Sequence, residues 1–256
     1  MGDRLKGKVA MITGTGSGIG RAAAVLFAKE GAKIAGCAIS LEQADETARM
    51  VRDAGGEIFS KAPVDVSDPN QVSSWVDEIL EKFGRIDILY NNAGRAHYGL
   101  FENLSFEDWH ASFRDEVDVA FVPIQAVWPH MKAAGGGSII NTSSLTALRA
   151  TGPDISAHGI GKGAIASFAP HLAIEGGPHR IRVNTISPGL IWTPQIQSAI
   201  ALEDAVGRSP IGRAGMPEDV AQVALFLASD DAGFVTGANY AVDGGQSALL
   251  TYSGNK

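Results

Sequence analysis

Short apolar runs alternate with helical patterns along nearly all of the 256 residues, and this alternation limits the fold more than any other feature of the sequence. The first run, Val9–Thr13, is closed by glycines and is typical of a buried strand, and apolar residues at helical spacing follow it over 18–30. Nearly continuous apolar strands joined by helices require right-handed crossovers onto a parallel sheet that is covered on both faces. The sequence therefore predicts an α/β fold, and because it contains no linker or repeat we expect one domain over residues 1–256.

The predicted elements continue this pattern to the end of the chain. The predicted strands are 9–13, 33–39, 58–64, 86–90, 138–142, 182–186 and 239–242, and the predicted helices are 18–30, 41–53, 70–83, 106–131, 163–174 and 217–228. Pro170 lies inside one of these helices and is expected to kink it or to remove a hydrogen bond. The stretch 192–216 has few strand signals, and we interpret it as a mobile lid over a substrate pocket.

The charge balance and the cysteine count exclude several classes of protein. Lys and Arg number 21 against 28 Asp and Glu, and the net charge of −7 argues against a nucleic-acid coat or a polybasic membrane binder. The one cysteine, Cys37, cannot form an internal disulfide and fits a reducing compartment. No apolar run approaches the roughly 18 residues that span a bilayer, and the six histidines show no metal-ligand spacing. We expect a cytoplasmic protein with no metal, nucleic-acid or membrane partner.

A glycine-rich turn joins the first predicted strand to its helix. Residues 13–20 read TGTGSGIG, so that Gly14, Gly18 and Gly20 form a Gly-x-x-x-Gly-x-Gly pattern. Glycines let the backbone turn sharply and approach a pyrophosphate, and the helix N-terminus supplies free N–H groups and the positive end of the helix dipole. The position of the turn in a β-α-β unit favours a nucleotide site, although a turn that serves packing alone has the same appearance.

An ordered set of further motifs accompanies this turn over nearly the whole chain. It comprises Asp65-Val66, Asn91-Asn92-Ala93-Gly94, Ser143-Ser144, Lys162, Arg182-Val183-Asn184, Ser187-Pro188-Gly189 through Thr193, and Asp243-Gly244-Gly245. With this set the chain resembles the classical short-chain dehydrogenase/reductase family. The resemblance implies a single Rossmann-type doubly wound domain with a seven-stranded parallel sheet and bound NAD(H) or NADP(H). It also implies a homo-oligomer, usually a tetramer, and Pro170 leaves a dimer open as well.

The resemblance further implies which residues hold the nucleotide. The glycine turn would contribute Gly14, Ser17, Gly18, Ile19 and Gly20, and the later motifs Asp65, Val66, Asn92, Ala93, Gly94, Lys162, Pro188, Gly189, Ile191 and Thr193. By the same resemblance, Asp65 and Val66 would hold the adenine. Ile191 and Thr193 would grip the nicotinamide carboxamide.

The choice between NAD and NADP depends on the end of the second predicted strand. Residues 36–40 read GCAIS, with neither an acid nor an arginine. An acid at this place would bond the ribose 2′-hydroxyl of NAD and repel the 2′-phosphate of NADP. Ser40 could donate a hydrogen bond to that phosphate, and the segment is similar to that of NADP-using ketoacyl reductases. We therefore slightly favour NADP(H) over NAD(H) and leave both open.

The sequence departs from the family at two of its four catalytic positions. The family uses a serine to polarise the substrate carbonyl, a tyrosine to carry the proton, a lysine four residues later, and an asparagine that holds a water. Ser144 and Lys162 match the serine and the lysine, whereas His158 stands at the tyrosine position and Glu116 at the asparagine position. Free imidazole titrates at about pH 6.5, so a neutral histidine could accept a proton at neutral pH without activation by a lysine. Glu116 in reach of Lys162 would offset the like charges of the lysine and a protonated His158.

These residues predict an NAD(P)-dependent oxidoreductase that interconverts a secondary alcohol and a ketone by hydride transfer. The substrate pocket would be rimmed by His97, Tyr98, Leu145, Ile191, Trp192 and Ile196, which indicates a small apolar substrate. His97 and Tyr98 are also alternative proton donors in place of His158.

Three other functions are compatible with parts of the pattern. The chain could bind the nucleotide without turnover, as a pseudoenzyme or a sensor, or it could be a lyase or isomerase that keeps the nucleotide for structure. A hydrolase is less favoured, although Ser144, His158 and Glu116 nominally form a Ser/His/acid triad. The sequence has no Gly-x-Ser-x-Gly elbow, and a hydrolase has no use for the glycine turn or for Lys162.

Overall fold

The computed structural model of the protein describes residues 2–248. Its strands are β1 (Val9–Thr13), β2 (Lys33–Cys37), β3 (Glu57–Lys61), β4 (Ile88–Asn91), β5 (Gly137–Thr142), β6 (Ile181–Pro188) and β7 (Asn239–Val242). They form one sheet in the order β3-β2-β1-β4-β5-β6-β7, in which every neighbouring pair is parallel. This is a doubly wound Rossmann-type sheet, and it confirms the predicted fold class.

Helices connect the strands and cover both faces of the sheet. They are α1 (Gly18–Lys29), α2 (Leu41–Asp53), α3 (Pro69–Phe83), α4 (Phe106–Phe113), α5 (Val119–Ala133), α6 (Ser156–Gly176), α7 (Pro194–Gln197), α8 (Leu202–Gly207) and α9 (Pro217–Ala228). Within residues 2–248, none of these helices combines the length and the apolar composition that a membrane crossing needs.

The core consists of two apolar layers, one on each face of the sheet. Successive side chains of a strand point to opposite faces, and β1 supplies both layers. Ala10 and Ile12 pack with α1 and α9, whereas Val9 and Met11 pack with α3 and α5. All four side chains are at most 2% exposed, so β1 is buried on both faces, as the continuous apolar run predicts.

Two predicted boundaries differ from the structure by three residues or more. Strand β3 ends at Lys61 rather than at Val64, because Pro63 has no backbone N–H to donate to a neighbouring strand. Helix α6 begins at Ser156, seven residues before the predicted start at 163, because three glycines of low helix propensity hide the helical pattern there. As a consequence His158 lies in the first turn of α6, and the helix continues through Pro170 to Gly176.

The long helix predicted over 106–131 is interrupted. Between α4 and α5 lies a π-helical turn, Arg114–Asp118, which carries Asp115 and Glu116. Such turns insert an extra residue into a helix and change the direction of the side chains around it. The prediction of one uniform α-helix over 106–131 is therefore wrong at this turn. Glu116 lies on the turn and is 1% exposed.

The order of the strands reverses beside β1. The chain passes from β1 to β2 on one side, and it later returns to β4 on the other side. In doubly wound folds, ligands bind in the crevice at the carboxyl ends of the strands where this reversal occurs. The glycine turn after β1 and residues 92–94 after β4 both lie at that crevice.

Candidate active site

The turn between β1 and α1 requires glycine for geometric reasons. Gly14 and Gly18 have positive φ values of 70° and 53°, which side chains rarely adopt. A Cβ at Gly20 would lie 2.2 Å from the carbonyl oxygen of Gly14, and a Cβ at Gly14 would lie 2.9 Å from the Cα of Ala93. The turn is therefore packed tightly against the segment after β4.

The N-terminus of α1 opens onto a groove. Ser17 is the N-cap of this helix but its side chain makes no capping hydrogen bond, and the first turn contains no acidic residue. Backbone N–H groups of such an end favour an anionic ligand. The groove measures about 550 Å³ and is lined by Gly14, Gly16, Ser17, Gly18, Ile19, Ala38, Ile39, Ser40, Gln43, Asn92, Ala93, Gly94, Thr193 and Gln195. Its uncharged walls and glycine backbone fit a dinucleotide.

Asn92 and Ala93 join the groove through backbone contacts with β1. The backbone N–H groups of both residues donate to Oγ1 of Thr13, each at 3.0 Å. The Asn92 side chain donates to the carbonyl oxygens of Thr13 and Gly14, each at 3.3 Å. Asn92 thus braces the glycine turn, a structural contact that the sequence does not reveal.

A second cavity, of about 380 Å³, lies beside the groove at the position expected for the adenine. It is lined by Gly14, Cys37, Ala38, Ile39, Val64, Asp65, Val66, Ala93, Gly94, Arg95, Arg114, Asp115 and Val119. Oδ1 of Asp65 accepts hydrogen bonds from the backbone and the hydroxyl of Ser67, which orients the carboxylate within its own turn. Arg95 and Arg114 are lining residues that sequence analysis did not identify, because neither belongs to a recognised motif.

Ser40 has a local role at the ribose end of the groove. It is the N-cap of α2, and its hydroxyl oxygen accepts a hydrogen bond from the backbone N–H of Gln43 at 3.3 Å. The hydroxyl hydrogen stays available for a ligand. Gln43 lines the same groove, and its Oε1 lies 2.9 Å from the place of a Cβ on Gly16. Gln43 is a second polar group at this end that sequence analysis missed.

Lys162 extends from α6 toward the nucleotide groove. Its Nζ donates to the carbonyl oxygen of Thr142 at 3.1 Å and lies 3.5 Å from the place of a Cβ on Gly94. The residue is 9% exposed. Burial lowers the pKa of Lys162, and the negative charge of Glu116 offsets part of that shift.

His158 and Glu116 are in direct contact. Nδ1 of His158 and Oε1 of Glu116 are 2.5 Å apart, and the side chains are 13% and 0% exposed. The second carboxylate oxygen, Oε2, is buried without a hydrogen-bond partner among the described residues. The sequence predicts Glu116 within reach of Lys162. In the structure the Glu116 carboxylate also contacts the imidazole of His158.

Ser144 lies at the carboxyl end of β5. It is the N-cap of a short 3₁₀ turn, Leu145–Ala147, and its hydroxyl oxygen accepts a 3.2 Å hydrogen bond from the backbone N–H of Thr146. The hydrogen bonds of residues 2–248 include none between Ser144 and His158. A hydrolytic triad would need that contact, so the geometry gives the hydrolase interpretation no support.

His97 and Tyr98 occupy the loop after β4. Nε2 of His97 lies 2.9 Å from Oδ2 of Asp115, the residue before Glu116. The Tyr98 ring lies 6.3 Å from the His158 ring and is 58% exposed. The buried part of the side chain raises the pKa of Tyr98, and the negative charges of Glu116 and Asp154 raise it further.

The remaining predicted residues lie after β6. Ile191 pairs with Gly215 in an isolated β-bridge, and the backbone N–H of Trp192 donates to the Gly215 carbonyl oxygen at 2.7 Å, which closes the base of 192–216. Helices α7 and α8 lie within that segment, Ile196 in α7. Thr193 contacts the groove, with its Cγ2 3.1 Å from the place of a Cβ on Gly18.

Pro188 is the last residue of β6, and Gly189 follows it. A Cβ on Gly189 would lie 2.7 Å from the Cβ of Asp243, so packing alone already requires a glycine at this position. Within residues 2–248 no cluster of three His, Cys, Asp or Glu side chains has the arrangement of a metal site.

Comparison with known proteins relates this geometry to a family. A family model described as "Enoyl-(Acyl carrier protein) reductase" matches residues 14–247. The chain is 38% identical over 244 residues to the 3-oxoacyl-(acyl-carrier-protein) reductase FabG of Thermotoga maritima, covering 94% of this chain and 98% of that protein.

Two solved structures are similar over nearly their full length. A 7α-hydroxysteroid dehydrogenase complexed with NADH and 7-oxo glycochenodeoxycholic acid has a TM-score of 0.91 at 33% identity, covering 97% of each chain. A short-chain type dehydrogenase/reductase from Mycobacterium marinum has a TM-score of 0.89 at 31% identity, covering 96% of this chain and 97% of that one. Sequence, fold and the glycine turn agree, and the chain belongs to the short-chain dehydrogenase/reductase family of oxidoreductases.

Proposed function

We propose that the protein is an NAD(P)-dependent oxidoreductase that interconverts a secondary alcohol and a ketone, with His158 in place of the usual tyrosine. One observation carries the proposal: His158 and Lys162 lie one helical turn apart on α6, and Nζ of Lys162 is 3.5 Å from the place of a Cβ on Gly94 in the nucleotide groove. A histidine on the same face of α6 is directed toward the same site.

The groove residues would hold the nucleotide at both ends. Gly14, Gly18 and the free N-terminus of α1 suit the pyrophosphate, and Asp65 and Val66 suit the adenine. Lys162 would hold the ribose of the nicotinamide half of the cofactor. Thr193 would contact the carboxamide of the nicotinamide ring. When bound, the nicotinamide group accepts a hydride from an alcohol or supplies one to a ketone.

The chain's own residues would handle the substrate oxygen and its proton. The hydroxyl of Ser144 would donate a hydrogen bond to the carbonyl oxygen. His158 would take the hydroxyl proton as the alcohol is oxidised, and it would return that proton to the oxygen as the ketone is reduced. The positive charge of Lys162 would favour the negative charge that develops on the oxygen.

The proposed cofactor is NADP(H) in preference to NAD(H). Of the residues that the structure describes, no acidic one lines the groove beside Ser40. None of them there repels a 2′-phosphate, and the Ser40 hydroxyl can donate to it. The 7α-hydroxysteroid dehydrogenase of similar fold binds NADH, which keeps NAD(H) as the second candidate. Titration with NADPH and NADH, followed by nicotinamide fluorescence excited through the tryptophans, would measure both dissociation constants. Tighter binding of NADH would reverse the preference, and binding of neither would contradict the proposed function.

The proposed substrate is a small apolar alcohol or ketone. Leu145, Trp192 and Ile196 would supply apolar groups at the rim. His97 and Tyr98, whose ring lies 6.3 Å from the His158 ring, would close the side next to it. A screen of secondary alcohols and ketones would follow NAD(P)H absorbance. Replacing His158 by Phe should reduce turnover by about 10²- to 10⁴-fold, the usual contribution of a general acid–base group. Nucleotide binding without turnover of any substrate would favour a pseudoenzyme or sensor instead.

We also propose that the chain is one cytoplasmic domain that forms a homo-oligomer, with 192–216 as a lid. Phe121 of α5 is 48% exposed beside an apolar groove of about 320 Å³ between α5 and α6, a face that a second copy could cover. Light scattering after size exclusion would distinguish a monomer from a dimer or tetramer.

Hydrogen exchange with and without nucleotide would test the proposed lid, residues 192–216, because a mobile lid should gain protection when the site is filled.

A further inference from the structure

The contact between His158 and Glu116 joins two separate elements. Glu116 comes from the π-helical turn and His158 from the first turn of α6, and Nδ1 and Oε1 are 2.5 Å apart. Since the carboxylate of Glu116 is fully buried, it cannot turn to water for another partner. An ionised carboxylate only accepts hydrogen bonds, so beside an ionised Glu116 it is Nδ1 that carries the hydrogen.

The other ring nitrogen of His158 is left for a ligand. A neutral imidazole with its hydrogen on Nδ1 has its lone pair on Nε2. Among the described residues Nε2 makes no hydrogen bond, and it is not among the buried polar atoms that lack a partner. It is therefore the ring nitrogen that a substrate hydroxyl can reach.

Building on the proposed function, we propose that Glu116 is a positioning residue that holds His158 through Nδ1 and makes Nε2 the nitrogen that exchanges a proton with the substrate. Because Gly161 has no side chain, the Glu116 carboxylate can lie against α6 beside His158. The three residues His158, Glu116 and Gly161 then form one unit.

Gly161 has no side chain where the carboxylate lies. A Cβ at Gly161 would be 3.0 Å from Oε2 and 3.4 Å from Cβ of Glu116, tighter than ordinary carbon contacts. Gly163, two residues further along α6, has no heavy atom within 4 Å of its Cβ position. An added Cβ at 161 would therefore press on the Glu116 side chain, whereas one at 163 would not.

Glu116 also balances charge around the imidazole. Among the described residues, Glu116 is in contact with His158 and the Tyr98 ring lies 6.3 Å from its ring, with Asp154 near Tyr98. Lys162 lies one helical turn further along α6, and its charge interacts with that of Glu116. Asp115, on the same turn as Glu116, is bound to His97 and Arg114. Adding a proton to His158 creates a second cation near Lys162, and the negative charge of Glu116 lowers the free-energy cost of that pair.

The first test is a double-mutant cycle on the purified holoenzyme. Gly161→Ala should lower kcat by about tenfold to a hundredfold while leaving the nucleotide Kd within about threefold, because the loss concerns proton transfer. Gly163→Ala is the matched control on the same helix and should keep wild-type kcat. In a Glu116→Ala background Gly161→Ala should have no further effect, because the group that it displaces is gone.

The second test does not require turnover. Nitrogen NMR of ¹⁵N-histidine-labelled protein should show the His158 hydrogen on Nδ1 in the wild type. Glu116→Ala should shift this tautomer toward Nε2, whereas Asp118→Asn, an exposed carboxylate-to-amide change on the same turn, should leave it unchanged.

The results separate this proposal from the proposed function. An Nδ1–H tautomer without turnover of any substrate would retain the positioning role and contradict the redox function. An unchanged tautomer and unchanged kcat in Glu116→Ala would overturn the positioning role, even if His158→Phe abolishes activity. Equal losses in Gly161→Ala with and without Glu116 would show that the glycine serves only packing.

Discussion

The hydroxyl of Ser143 donates a 2.7 Å hydrogen bond to the backbone carbonyl oxygen of Lys162. Ser143 is 3% exposed and follows β5, whereas Lys162 lies in α6, so this bond ties the end of the central sheet to the helix that bears His158. The proposed ribose-binding lysine is thus positioned through its backbone as well as through its side chain.

Ser143→Ala should lower the free energy of unfolding by about 1 kcal/mol, the usual net contribution of one hydrogen bond. Urea denaturation would measure the change. Because Lys162 loses one constraint, the nucleotide Kd should rise as well. Ser144→Ala is the matched comparison: it should reduce kcat with little change in stability, since its hydroxyl oxygen bonds only a local turn. Equal stability losses in both variants would contradict this assignment.

Gly20→Ala should weaken nucleotide binding by about tenfold or more. The added Cβ would lie 2.2 Å from the carbonyl oxygen of Gly14 and would force the turn out of shape. Overpacking of this kind also costs about 1–3 kcal/mol of stability. Fluorescence titration and thermal unfolding would measure the two effects. Gly177→Ala, where a Cβ meets no heavy atom within 4 Å, is the control and should bind the nucleotide normally.

Nucleotide affinity should fall on the alkaline side at a pH below the ordinary titration range of lysine. Burial lowers the pKa of Lys162, so its ammonium group becomes neutral earlier than in a free chain. Stability should change in the opposite sense: between the folded and unfolded pKa values the unfolded chain binds more protons, so stability rises with pH there.

Binding titrations at several pH values would locate this alkaline loss of affinity. Glu116→Gln should move it to still lower pH, because the charge of Glu116 raises the pKa of Lys162. An unchanged midpoint in that variant would mean that Glu116 and Lys162 do not interact electrostatically.

Ile39→Asp should shift cofactor preference toward NADH. Ile39 is 69% exposed at the ribose end of the groove, so an aspartate there needs little desolvation and would repel a 2′-phosphate. We expect the ratio of NADPH to NADH affinity to fall about tenfold, or about 1.4 kcal/mol. Ile39→Asn has the same shape without the charge and should change the ratio much less. If both variants shift it equally, repulsion is not the cause.

Tyr98→Phe should lower kcat by less than about tenfold, far less than His158→Phe. Partial burial and two nearby carboxylates raise the pKa of Tyr98, which disfavours the phenolate that would accept a proton as the alcohol is oxidised. Steady-state kinetics in both reaction directions would compare the two variants. A larger loss for Tyr98→Phe than for His158→Phe would make Tyr98 the proton carrier.

The local pattern was sufficient for most elements of the fold. Apolar runs such as 9–13 and the glycine turn after them depend on residues close in sequence, and the structure has a strand and a helix at these places. The exceptions have local causes that compete with periodicity: Pro63 ends β3 early, and glycines at 159, 161 and 163 conceal the first turns of α6.

The identity of the candidate site residues also follows from sequence order. The family motifs place His158 four residues before Lys162, and their register leaves Glu116 opposite the usual asparagine. The family and the fold class are confirmed, whereas the roles of the individual residues stay predictions. Nothing in the motifs distinguishes Asn92, which braces the turn, from a residue that only lines the groove.

The sequence by itself determined the parallel α/β fold, the family, and the residue types at the candidate site, because each depends on short-range spacing or on motif order. Only the tertiary structure decided that Glu116 meets His158 rather than Lys162 alone, and that Gly161 leaves the space for it. These residues are 42 positions apart, and their contact depends on a π-helical turn that shifts side-chain direction within an otherwise helical segment. Hydrophobic periodicity does not reveal such a turn, because it is a single turn inserted between two α-helical segments.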